Sequence, residues 1–332
     1  MRWQSIGTGI FNPVAFSPRT GCLSLLCRGR GNDLVLRELR EGAWSQPTSF
    51  DVPVAGVDGS IASIPVDWPL AVCPSGGRWP HLLARGPDGE LLHLAGGEGG
   101  WQPRFDYVGA PSALAAGTLV IPMALGGPPS ACGRDSERVD VFAAGQGGSL
   151  LHAIWDGQDW REFESLGVPT LGEGEQSRLY PLSGPVSCCR SGDQIAVFTR
   201  GPVGDLLMKW WDGNEWSRFE SLGSPKDYNP SYPAVTIPAP LSGPPVACSW
   251  GAGRLDVFAR GPHGDMLHRG WDGERWGQFE SLGMPTDARD MAIPFVGTAT
   301  ACTWGAGRLD VFARAVDGHL YHTWWDGSWE HE

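Results

Sequence analysis

Residues 254–283 read RLDVFARGPHGDMLHRGWDGERWGQFESLG, and this stretch decides the fold because the chain repeats it. Three strong and two weak further copies occupy residues 138–167, 194–223, 308–329, 79–101 and 22–44. Each copy has a tryptophan at the end of its third strand and turn, here called the closing tryptophan. The closing tryptophans are Trp44, Trp101, Trp160, Trp216, Trp276 and Trp329, and successive ones are 53 to 60 residues apart. A period of this length predicts a fold built from six similar structural units.

Turn signals divide each unit into four short strands. In the best copy an inner strand ends at Cys248, and RLDVFAR, DMLHRGW and FESLG follow it. Gly-Pro-x-Gly and Asp-Gly sequences separate the strands, and no segment has helical periodicity. Because a four-stranded sheet buries its faces only against neighbouring sheets, six such units predict an all-β, six-bladed β-propeller.

The two ends of the sequence complement each other. The last copy stops after Trp329 without a FESLG strand, whereas residues 2–7, RWQSIG, match RFESLG. We therefore expect the N-terminal strand to complete the last blade and close the ring. Residues 1–332 then form a single domain, with approximate blade cores at residues 14–53, 70–109, 129–167, 185–223, 245–283 and 299–330 plus 2–7.

Composition excludes several classes of partner. The 332 residues carry a formal net charge of -12 and only two lysines, Lys209 and Lys226, so no basic surface for nucleic acid or anionic membrane is expected. The N-terminal residues lack the pattern of a signal peptide, and no apolar stretch reaches the length of a membrane span. These features predict a soluble protein without membrane insertion, cytoplasmic or released by a non-classical route.

Five cysteines share one repeat position, at the end of the inner strand: Cys73, Cys132, Cys188, Cys248 and Cys302. A small apolar side chain in each inner strand predicts buried, reduced thiols. No cysteine and histidine spacing typical of zinc sites is present. We expect neither a structural metal nor a cofactor.

The composite motif Leu-Asp-Val-Phe-Ala-Arg, Gly-x-Leu-x-His-x-x-Trp-Asp-Gly and Phe-Glu-Ser-Leu-Gly resembles the PLL-like lectins, bacterial β-propellers that bind fucose and related glycans. The resemblance covers the whole chain, strongly in the last four units and weakly in the first two. It departs from the family in blade number, since that family is typically seven-bladed and this chain has six units. A second departure is the long connecting segment, here called a leader, that precedes five of the six inner strands.

Binding a pyranose requires an aromatic surface and a few polar groups, and the repeat offers both. The candidate tryptophans lie in turns at one end of the blades, and the candidate arginines lie at the other. These candidates are Trp250, Trp304, Trp211, Trp271, Trp325, Arg200, Arg260 and Arg314. For every tryptophan, packing between blades is the alternative to sugar binding. The closing tryptophans, which include Trp276, are the most uniform of all and are expected to be architectural.

Two further repeat positions carry polar side chains with structural explanations. The histidine of the third strand gives way to Leu36 and Met208 in two units, which favours a buried, hydrogen-bonded role over catalysis. An aspartate four residues before the arginine, as in Asp256 and Arg260, suggests an internal ion pair as an alternative to sugar binding by the arginine.

The sequence favours a non-enzymatic, multivalent carbohydrate-binding lectin that recognises fucose or related, including O-methylated, glycans on glycoconjugates. One alternative is a propeller hydrolase or lyase that acts on glycans through acidic residues of the leaders, namely Glu173, Glu175, Asp227, Asp287 and Asp290. The other is a non-catalytic platform for protein interactions. Oligomeric state, the exact sugar and the face that binds it cannot be read from the sequence.

Overall fold

In the computed structural model, the described residues form only β-strands and their connections. It describes residues 3–18, 20–29, 33–40, 42–50, 54–55, 61–62, 67–73, 79–97, 100–110, 112–115, 119–122, 124–133, 138–171, 177–228 and 236–329. The chain divides into two compact units, one formed by Phe11–Cys188 and the other by Met1–Ile10 with Cys189–Glu332. No helix in the described part of the chain is long and apolar enough to cross a membrane.

Blades one to three are antiparallel sheets that follow the predicted strand order. The strands of blade one are Phe11–Phe16, Leu23–Arg28, Leu34–Arg40 and Thr48–Phe50, with the short Ala43–Trp44 also paired to the third. Those of blade two are Asp67–Cys73, His81–Arg85, Leu91–Leu94 and Asp106–Gly109, with an extra pair Gly96–Gly97 and Gly100–Trp101. Those of blade three are Ser130–Gly133, Val139–Ala144, Leu150–Trp155 and Glu164–Ser165.

Blades four to six repeat this arrangement. The strands of blade four are Val186–Ser191, Gln194–Arg200, Leu206–Trp211 and Glu220–Ser221. Those of blade five are Val246–Cys248, Leu255–Arg260, Met266–Trp271 and Glu280–Ser281. Those of blade six are Phe295–Cys302, Leu309–Ala315, His319–Trp325 and, from the other end of the chain, Gln4–Thr8.

The N-terminal strand completes blade six, as the sequence predicted. Gln4–Thr8 pairs antiparallel with the third strand, with Gln4 opposite His322. Trp3 Nε1 donates a hydrogen bond to the carbonyl oxygen of Leu282 in blade five at 2.9 Å, and the Trp3 ring meets Phe295 edge-on at 4.6 Å. Trp3 therefore joins the closing strand to both blade five and blade six.

The leaders form hairpins of their own, which the sequence did not indicate. The strand pairs are Val54–Ala55 with Ile61–Ala62, Ser112–Ala115 with Leu119–Pro122, Thr170–Leu171 with Arg178–Leu179, and Lys226–Tyr228 with Thr236–Pro238. In the leader before blade six, a single bridge joins Thr286 and Ala292. Local backbone pairing thus joins the described segments of these leaders.

A glycine in each Gly-Pro-x-Gly turn fixes where the following leader ends. The Leu241 amide donates to the Gly204 carbonyl oxygen at 2.8 Å, and the Phe295 amide donates to that of Gly264 at the same distance. Gly264 has a φ of 83°, and a Cβ there would lie 2.7 Å from Pro294 Cβ. Only glycine allows both this backbone conformation and this close approach.

The cores are apolar, and the cysteines belong to them. One phenylalanine of the second strand is fully buried in each of the last four blades: Phe142, Phe198, Phe258 and Phe312. All eight cysteines are free thiols and seven of them are buried, including the five that share one repeat position, whose burial the alignment predicted. Burial raises the pKa of Cys27 to about 12 and raises the pKa of Cys248 well above its usual value. These thiols pack as small apolar groups.

Candidate functional site

Antiparallel order separates the turns of every blade into two sets. Turns from the inner to the second strand, and Trp-Asp-Gly turns from the third to the fourth, lie at one end of the sheet, here called the tryptophan end. The Gly-Pro-x-Gly turns and the leaders lie at the other end, the leader end. A candidate site at one end is therefore built from different motifs than a site at the other.

A hydrogen-bonded row of charged side chains, here called the polar row, crosses blade five at the tryptophan end. Arg254 donates two hydrogen bonds to the Asp256 carboxylate, at 2.6 and 2.9 Å. His268 Nε2 lies 2.8 Å from Asp256 Oδ1, and its Nδ1 lies 2.6 Å from Glu280 Oε1. Burial lowers the pKa of His268, but its hydrogen bonds to Asp256 and Glu280 outweigh this and raise it overall. The row satisfies a carboxylate that is fully buried.

The same polar row recurs in blades three and six. Its members there are Arg138, Asp140, His152 and Glu164 in blade three, and Arg308, Asp310 and His322 in blade six. The buried, hydrogen-bonded histidine predicted from the repeat is present in both. Asp256 and Asp310 do not pair with Arg260 and Arg314, the alternative that the sequence suggested for these two units, because each accepts hydrogen bonds from the arginine two residues before it. Residues two apart on a strand lie on one side about 7 Å from each other, whereas residues four apart are separated by about 13 Å.

Blade four lacks the polar row. Gln194, Ala196 and Met208 stand where blade five has Arg254, Asp256 and His268, and only the glutamate of the fourth strand, Glu220, is kept. These replacements remove a guanidinium, a carboxylate and an imidazole from one face of the sheet. They leave an apolar surface in front of the next blade.

A groove of about 360 Å³ opens at this place, between blades four and five. Its walls are Gln194, Ala196, Met208, Trp210 and Glu220 from blade four and Leu255, Trp271 and Trp276 from blade five, together with Ser191, Leu222, Gly253 and Gly273. The three tryptophans are half-buried, and the rings of Trp271 and Trp276 lie 5.7 Å apart at an angle of 51°. The groove thus has aromatic walls, an apolar floor and three polar side chains, the composition expected of a site for a small polar ligand.

The structure brings only one of the predicted tryptophans into this groove, Trp271. Trp211 occupies the matching turn of blade four, 5.6 Å from Trp216, and Trp325 lies 5.5 Å from Trp329. In blades three, four and five a backbone bridge joins the two tryptophans across the Trp-Asp-Gly turn, which brings rings such as those of Trp211 and Trp216 together.

Trp250 and Trp304 contact the polar rows instead. The Arg254 guanidinium lies 4.6 Å from the centre of the Trp250 ring. Trp304 Nε1 donates to Asp310 Oδ2 at 2.6 Å, and the Arg308 guanidinium lies 5.1 Å from the Trp304 ring. Both rings therefore cover the arginine of the row in their own blade.

The predicted arginines lie at the leader end, away from the tryptophans. Arg200 Nε donates to the Leu241 carbonyl oxygen at 2.5 Å. Arg260 donates to the carbonyl oxygens of Ser242 at 2.6 Å and Phe295 at 3.2 Å. Arg314 holds the same strand position, opposite Val296. Arg200 and Arg260 thus fasten the leaders to the blades.

A second cleft, of about 460 Å³, lies at the leader end of blades four and five. Lys226, Asp227, His263, Asp265 and Phe279 contribute to its walls, and His263 Nε2 lies 3.0 Å from Asp227 Oδ2. Two other leader acids, Glu173 and Glu175, lie outside the described residues. Asp227 thus lies within hydrogen-bond distance of His263, and Asp287 Oδ1 accepts hydrogen bonds from the amides of its own turn.

Sequence reasoning missed most of the groove at the tryptophan end. The repeat indicates an architectural role for Trp276 and draws no attention to Gln194, Ala196 and Glu220. The available signal was the joint departure of three positions in one unit from an otherwise regular repeat. Met208 was noticed only as an apolar replacement of a histidine.

Solved structures share this fold over nearly the whole chain. The Aleuria aurantia lectin, described with a six-bladed β-propeller fold and a novel fucose recognition mode, superposes with a TM-score of 0.62 at 13% identity, covering 96% of this chain and 94% of that one. AofleA from Arthrobotrys oligospora gives 0.62 at 14% identity, covering 98% and 86%. SapL1 lectin in complex with α-methyl fucoside gives 0.60 at 16% identity, covering 98% and 95%.

These likenesses confirm the prediction of a six-bladed β-propeller. The sequence itself matches no protein-family model and no curated protein. At such low identity the solved structures establish the fold, and the chemistry of the site has to be argued from the residues of this chain.

Proposed function

We propose that this protein is a carbohydrate-binding lectin without catalytic activity, and that the groove between blades four and five is its principal site. The observation that carries the proposal is the pairing of Trp271 and Trp276 with Glu220 and Gln194 around one opening. Two of the similar solved structures, the Aleuria aurantia lectin with its fucose recognition mode and SapL1 with bound α-methyl fucoside, support the same class of ligand.

The groove suits a sugar ring with one apolar edge. The tryptophan rings offer flat surfaces to the C–H face of a pyranose, while the Glu220 carboxylate accepts hydrogen bonds from its hydroxyls. Gln194 adds both a donor and an acceptor. Met208, Ala196 and Leu255 form an apolar floor against which a methyl group packs. Fucose, a 6-deoxy sugar, or an O-methylated relative therefore fits better than a fully hydroxylated hexose.

The same groove is poorly equipped for glycoside hydrolysis. Hydrolysis by the common mechanisms requires two carboxyl groups on either side of the scissile bond. Among the described residues that line the groove, Glu220 provides the single carboxylate. This supports binding without turnover.

Calorimetric titration with methyl α-fucoside, and with methyl galactoside and methyl glucoside for comparison, tests the proposal. Trp276→Ala and Glu220→Gln are each expected to weaken binding at least tenfold. Trp250→Ala is the matched control because Trp250 belongs to the same fold repeat but contacts Arg254 outside the groove.

Three results would contradict the proposal. Loss of binding in Trp250→Ala, with binding retained in Trp276→Ala, moves the site to the turn after the inner strand. Failure of the intact protein to bind any sugar on a glycan array favours the protein-interaction platform, and release of free sugar from an array ligand favours the hydrolase.

A further inference from the structure

Within each compact unit, the residue at the third-strand histidine position lies against tryptophans of the following blade. His93 of blade two lies 5.3 Å from Trp155 and 5.2 Å from Trp160 of blade three. His268 of blade five lies 5.5 Å from Trp329 of blade six. In blade four this position is Met208, and it lines the open groove with Trp271 and Trp276.

The polar row fills this space with a rigid side chain. The His268 ring is held by Asp256 and Glu280 and stacks on Phe258 at 4.9 Å. Trp329 packs against it and is only 6% exposed. A ligand entering here would have to break hydrogen bonds to a fully buried carboxylate, which is costly because the charge would be left unpaired.

The residues of blade four have the opposite effect. Ala196 is far smaller than the aspartate it replaces, and Met208 is flexible enough to adapt to an entering group. Met208 stands beside Glu220 where His268 stands beside Glu280, so the Glu220 carboxylate can accept hydrogen bonds from a ligand. Trp276, the counterpart of Trp329, is half-buried and not covered by an imidazole.

We propose that the polar row acts as a plug that determines which inter-blade grooves accept a sugar. A blade that carries Arg, Asp and His closes the groove in front of it, and a blade that carries Gln, Ala and Met opens it. This inference rests on the proposed function and deepens it, because it assigns the sugar to the groove of blades four and five and excludes it from that of blades five and six.

Reciprocal grafts test the plug. The closing graft introduces Gln194→Arg, Ala196→Asp and Met208→His into blade four. This trio already exists in three other blades, so the graft uses side chains that this sheet geometry accommodates. Titration with methyl α-fucoside is expected to show at least a tenfold loss of affinity at this groove.

The opening graft introduces Arg254→Gln, Asp256→Ala and His268→Met into blade five. The expected result is one additional binding site per chain in the same titration, with the original site unchanged. Because the two grafts lie in different blades, either one tests the plug by itself if the other variant fails to fold. Circular dichroism and thermal melting establish which variants are folded.

Crystal structures of the grafted proteins without ligand separate failure of the plug from failure of the lectin function. Unchanged affinity in the closing graft, together with an unchanged number of sites in the opening graft, overturns the plug while the lectin function stands. If the unmodified protein binds no sugar, the lectin function fails. In that case the crystal structures decide whether the plug stands. It is upheld if the closing graft fills the groove between blades four and five and the opening graft creates a groove between blades five and six. It is overturned if neither place changes shape.

Discussion

Two buried histidines of blade two should make the protein sensitive to mild acid. His93 is 3% exposed and His81 is 7% exposed, and His93 Nε2 lies 2.8 Å from His81 Nδ1. Burial, reinforced by the charge of His81, lowers the pKa of His93 to about 3, and burial also lowers the pKa of His81. Blade one carries Ser24 and Leu36 at the two positions, so the variant His81→Ser/His93→Leu substitutes residues that the fold already uses.

The sign and size of the effect follow from proton binding. Between the unfolded pKa of 6.5 and the folded pKa of about 3, the unfolded chain binds a proton that folded His93 does not. Stability therefore falls as pH drops through this window, by about 1.4 kcal/mol per unit. At pH 5 the loss through His93 alone is about 2 kcal/mol relative to neutral pH, and His81 adds to it in the same direction.

Denaturant unfolding at several pH values from 7.5 to 5.0 measures this loss in the wild type and in the double variant. Carboxylates titrate in both proteins, so the difference between the two profiles isolates the histidines. We expect the free energy of unfolding to fall more steeply with acid in the wild type. Profiles that stay parallel within about 0.5 kcal/mol across the range would refute the reasoning.

Three further predictions concern stability and thiol access. Trp3→Ala should lower the free energy of unfolding by about 2–3 kcal/mol in denaturant titrations, because it removes one hydrogen bond, one aromatic pair and half-buried apolar area, and a change below about 0.5 kcal/mol would count against closure by this strand. Gly264→Ala should cost about 2 kcal/mol or more by the same measurement, whereas Gly251→Ala, which meets no atom within 4 Å, should cost less than half as much. A thiol reagent should label at most Cys22 rapidly in the native protein and all eight cysteines after unfolding, and rapid native labelling of most of them would contradict their burial.

The strand order could be predicted from the sequence because local signals decide it. Gly-Pro-x-Gly and Asp-Gly turns recur at a fixed spacing, and each fixes the backbone within a few residues. The closing strand was equally accessible, since RWQSIG supplies the piece that the last unit lacks. The leader hairpins escaped prediction because their strands are only two to four residues long and include proline, so they show no alternation of apolar and polar residues.

The candidate site was only partly predictable because it depends on contacts between strands. The sequence drew attention to tryptophans that recur, and of these Trp271 does line the groove. Trp250 recurs in only one other unit, as Trp304, and the structure shows that both rings cover an arginine. Asp256 pairs with Arg254 and not with Arg260, as strand geometry requires once the side of the sheet is known. From the sequence alone, several partners for Asp256 were possible.

The way in which the polar row varies also argues that its members act together. Removing the arginine or the histidine alone would take away part of the hydrogen bonding of a buried aspartate, which is destabilising. Blade four has lost all three groups at once, as Gln194, Ala196 and Met208, and blade one likewise has an uncharged Ser24 and an apolar Leu36. The three groups are either all present, as in blades three, five and six, or all absent, as in blades one and four, whereas blade two keeps only the histidine, His93. Affinity and valency in this propeller are therefore expected to change in whole steps, one blade at a time.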